Sequence, residues 1–308
     1  MSKGIVVGVD PAREHDAALE FAVAQARRRG RGIHLVVVLH PGHVGPDQVL
    51  ELKLVGDELL RVDHDLLLRC ERRIAEWDDD LVVTTELAHG TVVSSLVASV
   101  ADAEMLVLGH HRMSRPHHLP TLSVTHGVAA RTSCPVYAVP DDWHELREHP
   151  EPVLAAVEDA ETGPAVAAAA FAEARLAGAS VRVVRAWCYP DIDLDEESVL
   201  HGTGGDEGER LARETTDFLS ELVSAYRDVP CRVDAPHGQA AYTLTEASRH
   251  ARLLVIGRHR PSLPWGSHLG PVTRSVLGHA KCPVVVVDTH PEPSYDVTVE
   301  AGAPAQTT

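Results

Sequence analysis

Two stretches of the chain combine glycine, arginine, histidine and hydroxyl side chains in an order that suits phosphate binding. The first begins at Gly109 and reads GHHRMSRPHHLPTLSVTHG, and the second begins at Gly257 and reads GRHRPSLPWGSHLGPVTRS. Each stretch starts with a glycine directly after an apolar run. Near its end, each contains a Val-Thr pair at the start of a predicted helix. The free N–H groups of a helix start, with hydroxyls beside them, suit an anion such as phosphate.

The two stretches are copies of one another, because the matching residues stand 148 positions apart without a gap. The pairs are Gly109/Gly257, Arg112/Arg260, Val124/Val272, Thr125/Thr273 and Cys134/Cys282. The same offset relates Gly90 to Gly238 and Asp10 to Glu158. The chain therefore carries one domain twice. With 308 residues in all, each half is long enough to bury its own core.

The composition narrows the classes of partner. The formal net charge of −17 argues against nucleic acid and anionic membranes, which favour basic surfaces. We find neither a signal peptide nor an apolar stretch long enough to cross a membrane, and we expect a cytoplasmic protein. The five cysteines are odd in number and lack CxxC spacing, so they indicate neither a disulfide framework nor a zinc site.

The elements that would position these loops alternate between strand and helix. Apolar runs predict strands over 4–9, 33–39, 81–87, 105–108 and 136–139, and again over 153–157, 181–186, 231–235, 253–256 and 284–287. Helical spacing predicts helices over 16–28, 48–76, 91–101 and 123–131, then 163–177, 207–226 and 243–250. This alternation predicts an α/β fold with mostly parallel sheets and helices on both faces. We place the domains at 1–140 and 153–289, a charged linker at 141–152 and a flexible tail at 290–308.

A ligand of such a sheet sits beyond the carboxyl ends of the strands, where the strand order reverses. The candidate residues at these ends in the first copy are Val9, Asp10, Leu39, Leu108 and Gly109. Their counterparts include Glu158, Trp187, Ile256 and Gly257. For Trp187 two roles stay open: its ring stacks on a ligand base, or it plugs the crevice.

These features resemble the universal stress protein family in its tandem form. The resemblance rests on the VVGVDP opening, the LAHG before the third helix, the LVLG and LVIG runs, and the terminal CPVYAV and CPVVVV strands. It implies two flavodoxin-like, adenine nucleotide alpha hydrolase-like three-layer sandwiches, each with a five-stranded parallel sheet. It also implies ATP as ligand, Mg²⁺ accompanying it, pairing of the two domains through their last strands, and a homodimer.

Neither copy keeps the whole ATP loop of the family, which has Gly, two residues, Gly, nine residues, Gly, then Ser or Thr. The first copy has Arg112 and Leu122 at the later glycine positions but retains Ser123, Val124 and Thr125. The second has Arg260 at the second glycine, and keeps Gly270 before Pro271, Val272 and Thr273. Arg112 and Arg260 either bind phosphate through their guanidinium groups, or mark loops that have lost the nucleotide.

Two other polar clusters were considered as metal sites, and neither is predicted to bind a metal. The histidines of the first loop, His110, His111, His117, His118 and His126, could ligate a metal, but the second loop does not repeat the set. We interpret the run Asp78-Asp79-Asp80 as a solvated turn and expect no metal site. We find no catalytic motif, so at most weak ATP hydrolysis is expected. The sequence predicts a stress-response regulator that binds adenine nucleotide in one or both copies. The alternative is a nucleotide-free interaction scaffold.

Overall fold

A computed structural model describes residues 3–11, 15–39, 49–110, 124–145, 151–188, 203–258 and 269–289. The predicted tail 290–308, part of the predicted linker, and the predicted phosphate-loop residues Arg112, Leu122, Ser123 and Arg260 lie outside these ranges. So do His111, His117 and His118 of the predicted histidine cluster.

The first copy contains five strands and four helices within the described residues. The strands are β1 (Ile5–Val9), β2 (Ile33–Leu39), β3 (Val83–His89), β4 (Met105–His110) and β5 (Val136–Pro140). The helices are α1 (Asp16–Arg29), α2 (Val49–Trp77), α3 (Val92–Ser99) and α4 (Val124–Ala129). Strand β3 starts two residues later than predicted and ends at His89, two residues beyond the predicted end, just before Gly90 with its φ of +126°.

The second copy repeats the order. Its strands are β6 (Val153–Ala156), β7 (Val181–Val184), β8 (Cys231–Asp234), β9 (Leu253–Arg258) and β10 (Val284–Asp288). Its helices are α5 (Gly163–Ala177), α6 (Thr203–Phe218), α7 (Ser220–Ala225), α8 (Ala240–Ala247) and α9 (Pro271–His279). The predicted single helix over 207–226 is wrong. It is divided at Leu219, a residue with a fully buried side chain that separates α6 from α7.

All ten strands form one sheet in the order β3-β2-β1-β4-β5-β10-β9-β6-β7-β8. Pairing is parallel within each copy, and only β5 and β10 run antiparallel, with Tyr137 opposite Val285. The tandem α/β fold and the pairing of the last strands within one chain are confirmed. Because this pairing occupies the β5 edge of the first copy and the β10 edge of the second, the predicted homodimer would need another surface.

A buried polar cluster crosses the seam between the copies. The carboxylate of Glu173 on α5 accepts hydrogen bonds from the Tyr137 hydroxyl at 2.6 Å and from the Gln25 side-chain amide at 3.2 Å. It also pairs with Arg29 at the end of α1. Burial, and then the neighbouring Glu173 charge, hold the pKa of Tyr137 well above its ordinary value. The seam is thus stabilised by a hydrogen-bonded charge as well as by the β5–β10 ladder.

No helix in the described part of the chain combines the length and the apolar character needed to span a membrane.

Candidate functional site

A cavity lined by described residues lies in the second copy, where the strand order reverses between β6 and β9. Its volume is about 280 Å³. Its walls are mostly apolar and include Val157, Val184, Leu244, Ile256 and Val272. A crevice at this point of a parallel sheet is the usual ligand position in doubly wound folds. The geometry therefore singles out the second copy as the place to look for a bound small molecule.

Polar groups at the end of β6 shape one side of the cavity. Asp159 accepts hydrogen bonds from the Thr162 main-chain N–H and hydroxyl, both at 2.8 Å, in an Asx-type turn. This turn leads into α5 and holds Thr162 at the cavity wall. Glu158 lies beside it with an exposed side chain, and its carbonyl accepts a hydrogen bond from Arg185 Nε at 2.9 Å. The predicted acid of the second copy is thus one of the residues that line the cavity.

Gly257 occupies a position with no room for a side chain. A Cβ built there would lie 2.6 Å from Thr289 Cγ2 and 3.2 Å from Val166 Cγ2. The Thr273 hydroxyl donates a hydrogen bond to the Gly257 carbonyl at 3.2 Å, and Thr273 is buried. Its hydroxyl therefore ties α9 to the end of β9. Gly270, the residue before α9, also lines the cavity.

Arg258 is a cavity residue that the sequence reasoning missed. It directly follows Gly257, and its guanidinium pairs with Asp288 at the end of β10. Its Nη1 also donates to the Thr132 carbonyl of the first copy at 2.9 Å. The signal available in the sequence was the cation adjoining the loop glycine, at the position where the first copy has His110.

Trp187 is not one of the residues that line the cavity. Its indole Nε1–H donates to the Ala235 carbonyl at 3.0 Å, and its ring meets His237 edge-on with the centroids 4.7 Å apart. These contacts fix the ring against the end of β8. Ala186, the preceding residue, lines the cavity instead.

The corresponding region of the first copy is packed differently. Leu108 Cδ2 lies 2.5 Å from where a Cβ on Gly8 would stand, and the counterpart of Gly8 in the second copy is Ala156. Leu108 thus packs against β1 in the first copy. Its counterpart in the second copy, Ile256, lines the cavity. Asp10 follows the buried Val9 and is exposed, and its carbonyl oxygen lies 2.7 Å from His15 Nε2.

Other predicted residues of the first copy are placed at the same sheet edge. The Leu39 carbonyl accepts a hydrogen bond from the Gly90 N–H at 3.4 Å, as the Trp187 carbonyl does from Gly238 at 2.8 Å. Gly109 continues β4 and pairs with Val139. At the start of α4, Thr125 is buried and Val124 is exposed.

Two of the histidines considered as metal ligands lie in the described chain. The rings of His110 and His126 have centroids 6.4 Å apart. His126 Nε2 lies 3.3 Å from the Arg274 carbonyl oxygen across the seam, and burial lowers the pKa of His126. In the acidic run 78–80, Arg27 donates a 2.6 Å hydrogen bond that lowers the pKa of Asp78.

Comparisons with known proteins agree with the duplicated architecture. The Universal stress protein family profile matches residues 1–140 and 150–288. The universal stress protein Rv1996 of Mycobacterium tuberculosis is 27% identical, with 94% of this chain and 96% of the relative covered. A universal stress protein of Mycolicibacterium smegmatis is 26% identical, with 92% and 96% covered. The crystal structure of a universal stress protein from Archaeoglobus fulgidus superposes with a TM-score of 0.68 at 14% identity, covering 94% of this chain and 99% of that one.

Proposed function

The chain belongs to the universal stress protein family, and from this premise we propose that it is a stress-response regulator that binds an adenine nucleotide in the second-copy cavity. The observation that carries the proposal is the cavity of about 280 Å³ at the reversal point of the sheet. Pockets for small ligands in proteins are roughly 300 Å³ or larger, mostly apolar, with a few polar groups that fix orientation. The cavity is close to the small end of that range.

Its walls suit the two halves of a nucleoside. The apolar side chains of Val157, Val184 and Leu244 offer a surface for a purine base. The exposed Glu158 carboxylate stands at the end of β6, where it can accept hydrogen bonds from ribose hydroxyls.

Within the described residues, the strand ends of the two copies are packed differently. Leu108 covers Gly8 in the first copy, whereas Ala156 and Ile256 both line the cavity in the second. The Pro271 ring removes one N–H donor from the start of α9, which weakens the helix end as a phosphate site. We therefore propose that binding energy comes mainly from the nucleoside part, and that ATP, ADP and AMP bind with similar affinity.

Isothermal titration calorimetry of the full chain with ATP, AMP and GTP tests the proposal. We expect both adenine nucleotides to bind more tightly than GTP. The variant Ala240→Phe places a ring at the cavity wall and should abolish binding. Its matched control is Val92→Phe, the same position of the first copy, which should leave binding unchanged.

The outcomes separate the alternatives. Loss of binding in Val92→Phe alone would move the site to the first copy. If the folded wild-type protein takes up no adenine nucleotide and co-purifies with none, the nucleotide-free scaffold replaces this proposal.

A further inference from the structure

Two histidine side chains of the first copy lie close together, and neither lines the cavity of the second copy. His110 is the last residue of β4 and is 6% exposed, and His126 lies on α4 with a half-buried side chain. We propose that these two imidazoles bind a divalent transition metal ion such as Zn²⁺. This site takes no part in the nucleotide binding proposed above, so the two proposals stand or fall separately.

The hydrogen bonding of His126 gives the first reason. Its Nε2 lies 3.3 Å from the Arg274 carbonyl oxygen. A carbonyl can only accept, so the proton of the neutral ring is on Nε2 and the lone pair is on Nδ1. Histidines that ligate metals commonly have this arrangement, in which one ring N–H is donated to a backbone carbonyl and the other nitrogen binds the ion.

The burial of His126 Nδ1 gives the second reason. Among the described residues this nitrogen is inaccessible to solvent and has no hydrogen-bond partner. A buried polar atom in this state destabilises the folded chain, and a bound ion that uses its lone pair removes the penalty. Burial also lowers the pKa of His126, which favours the neutral ring that a metal ion needs.

The distance between the two rings suits a shared ion. Zinc–nitrogen bonds are about 2.1 Å and an imidazole nitrogen lies about 1.1 Å from its ring centre, so two rings on one ion have centroids roughly 5 to 6.5 Å apart. The centroids of His110 and His126 are 6.4 Å apart, and the ring planes make an angle of 60°. This separation is at the upper end of the range, so we expect the rings to approach slightly on binding.

The chemistry of the two ligands selects the ion and the copy. Imidazole nitrogen suits Zn²⁺, Cu²⁺ and Ni²⁺, whereas Mg²⁺ and Ca²⁺ prefer oxygen ligands. The counterparts of His110 and His126 in the second copy are Arg258 and Arg274. A guanidinium stays protonated and offers no lone pair, so the second copy cannot form the same site.

The test titrates the full chain with Zn²⁺ by calorimetry, with Mg²⁺ as the comparison ion. We expect Zn²⁺ to bind and Mg²⁺ not to compete with it. His110→Ala and His126→Ala should each weaken Zn²⁺ binding at least about tenfold, because each removes one of the two ligands. The matched control is His89→Ala, an exposed histidine at the end of β3, which should leave Zn²⁺ binding unchanged.

A charge variant separates a metal site from a contact that only packs the seam. Besides burial, which is the larger cause, the Arg274 charge lowers the pKa of His126. The same charge opposes a bound cation. Arg274→Ala removes it but keeps the main-chain carbonyl that orients His126, so Zn²⁺ binding should tighten about two- to fivefold.

The inference is overturned if the wild-type protein binds no Zn²⁺, or if either histidine variant binds Zn²⁺ as tightly as wild type does. Weaker Zn²⁺ binding in Arg274→Ala would also overturn it. Circular dichroism checks the fold of each variant. Should His110→Ala not fold, His126→Ala decides alone, since that side chain is only half-buried. Each of these results leaves the nucleotide proposal untouched.

Discussion

Truncation of Arg29 should destabilise the seam between the two copies far more than truncation of a neighbouring arginine on the same helix. The Glu173 side chain is 9% exposed and Arg29 supplies its positive partner. Removing one partner of a buried ion pair costs about 3–5 kcal/mol, because the remaining charge stays in a poorly solvated place. Gln25 and Tyr137 still donate hydrogen bonds to Glu173 after the substitution.

From these contacts we expect Arg29→Ala to lower the free energy of unfolding by about 3 kcal/mol, the low end of that range. Urea titration followed by circular dichroism measures the change. The matched control is Arg27→Ala, whose pair with Asp78 leaves the arginine side chain 47% exposed. Exposed pairs contribute about 0–1 kcal/mol, so this variant should differ little from wild type.

A second substitution tests the cause. Glu173→Gln in the Arg29→Ala background replaces the uncompensated carboxylate by a neutral amide, and should recover part of the lost stability. Equal costs for Arg29→Ala and Arg27→Ala, or a double variant less stable than Arg29→Ala, would refute the argument that a buried charge at the seam is responsible.

Three further predictions concern single residues. Gly4 has a φ of +46°, and a Cβ there would stand 2.9 Å from a backbone carbonyl oxygen, so Gly4→Ala should cost more than about 1 kcal/mol in the same urea assay. Hydrogen bonds, chiefly from Lys3, lower the pKa of Glu86 to about 2. Its contribution to stability is therefore complete above about pH 4.5 and is lost as the pH falls towards 2, and Glu86→Gln should flatten an acid titration over that window. Iodoacetamide at pH 8 should modify the exposed Cys188 before Cys134, because burial raises the pKa of the Cys134 thiol to about 12. Mass spectrometry of peptides measures the order of modification, and a reversed order would contradict this prediction.

The sequence predicted the elements well because their signals are local. Apolar runs marked the buried strands, and Gly30 and Gly178 end α1 and α5 in the left-handed conformation expected of helix-stopping glycines. The split at Leu219 was missed because the helical spacing continues through it. Leu219 is fully buried in the core, and burial depends on contacts with elements distant in sequence that local spacing does not contain.

The candidate site was predicted less completely, and for a similar reason. The strand-end position and Gly257 follow from the α/β pattern. Arg258 could not be chosen from the sequence, because its role depends on Asp288 and Thr132, 30 residues after it and 126 residues before it. For Trp187 the sequence left two roles open, stacking on a ligand base and plugging the crevice. Its orientation is decided by a carbonyl on the far side, at Ala235.

Duplication within one chain gives this fold a freedom that a symmetric dimer lacks. In a two-fold homodimer each residue at the seam meets a partner surface identical to its own. Here Gln25 and Glu173 hold equivalent positions, yet the amide of one donates to the carboxylate of the other. Two copies of Glu173 meeting in a homodimer would place two carboxylates together, and two copies of Gln25 would leave Arg29 without its counter-charge.

The two copies also differ at the carboxyl ends of their fourth strands, β4 and β9. The seam contact of Arg258 reaches Thr132 of the first copy, while the equivalent position of the first copy carries His110. A substitution that shapes the second-copy cavity therefore changes one position of the molecule. In a homodimer the same substitution would change both subunits at once. Residue differences between the copies are for this reason places to look for function. The pair His110/Arg258 is one of them, because Arg258 lines the cavity and also contacts the first copy across the seam.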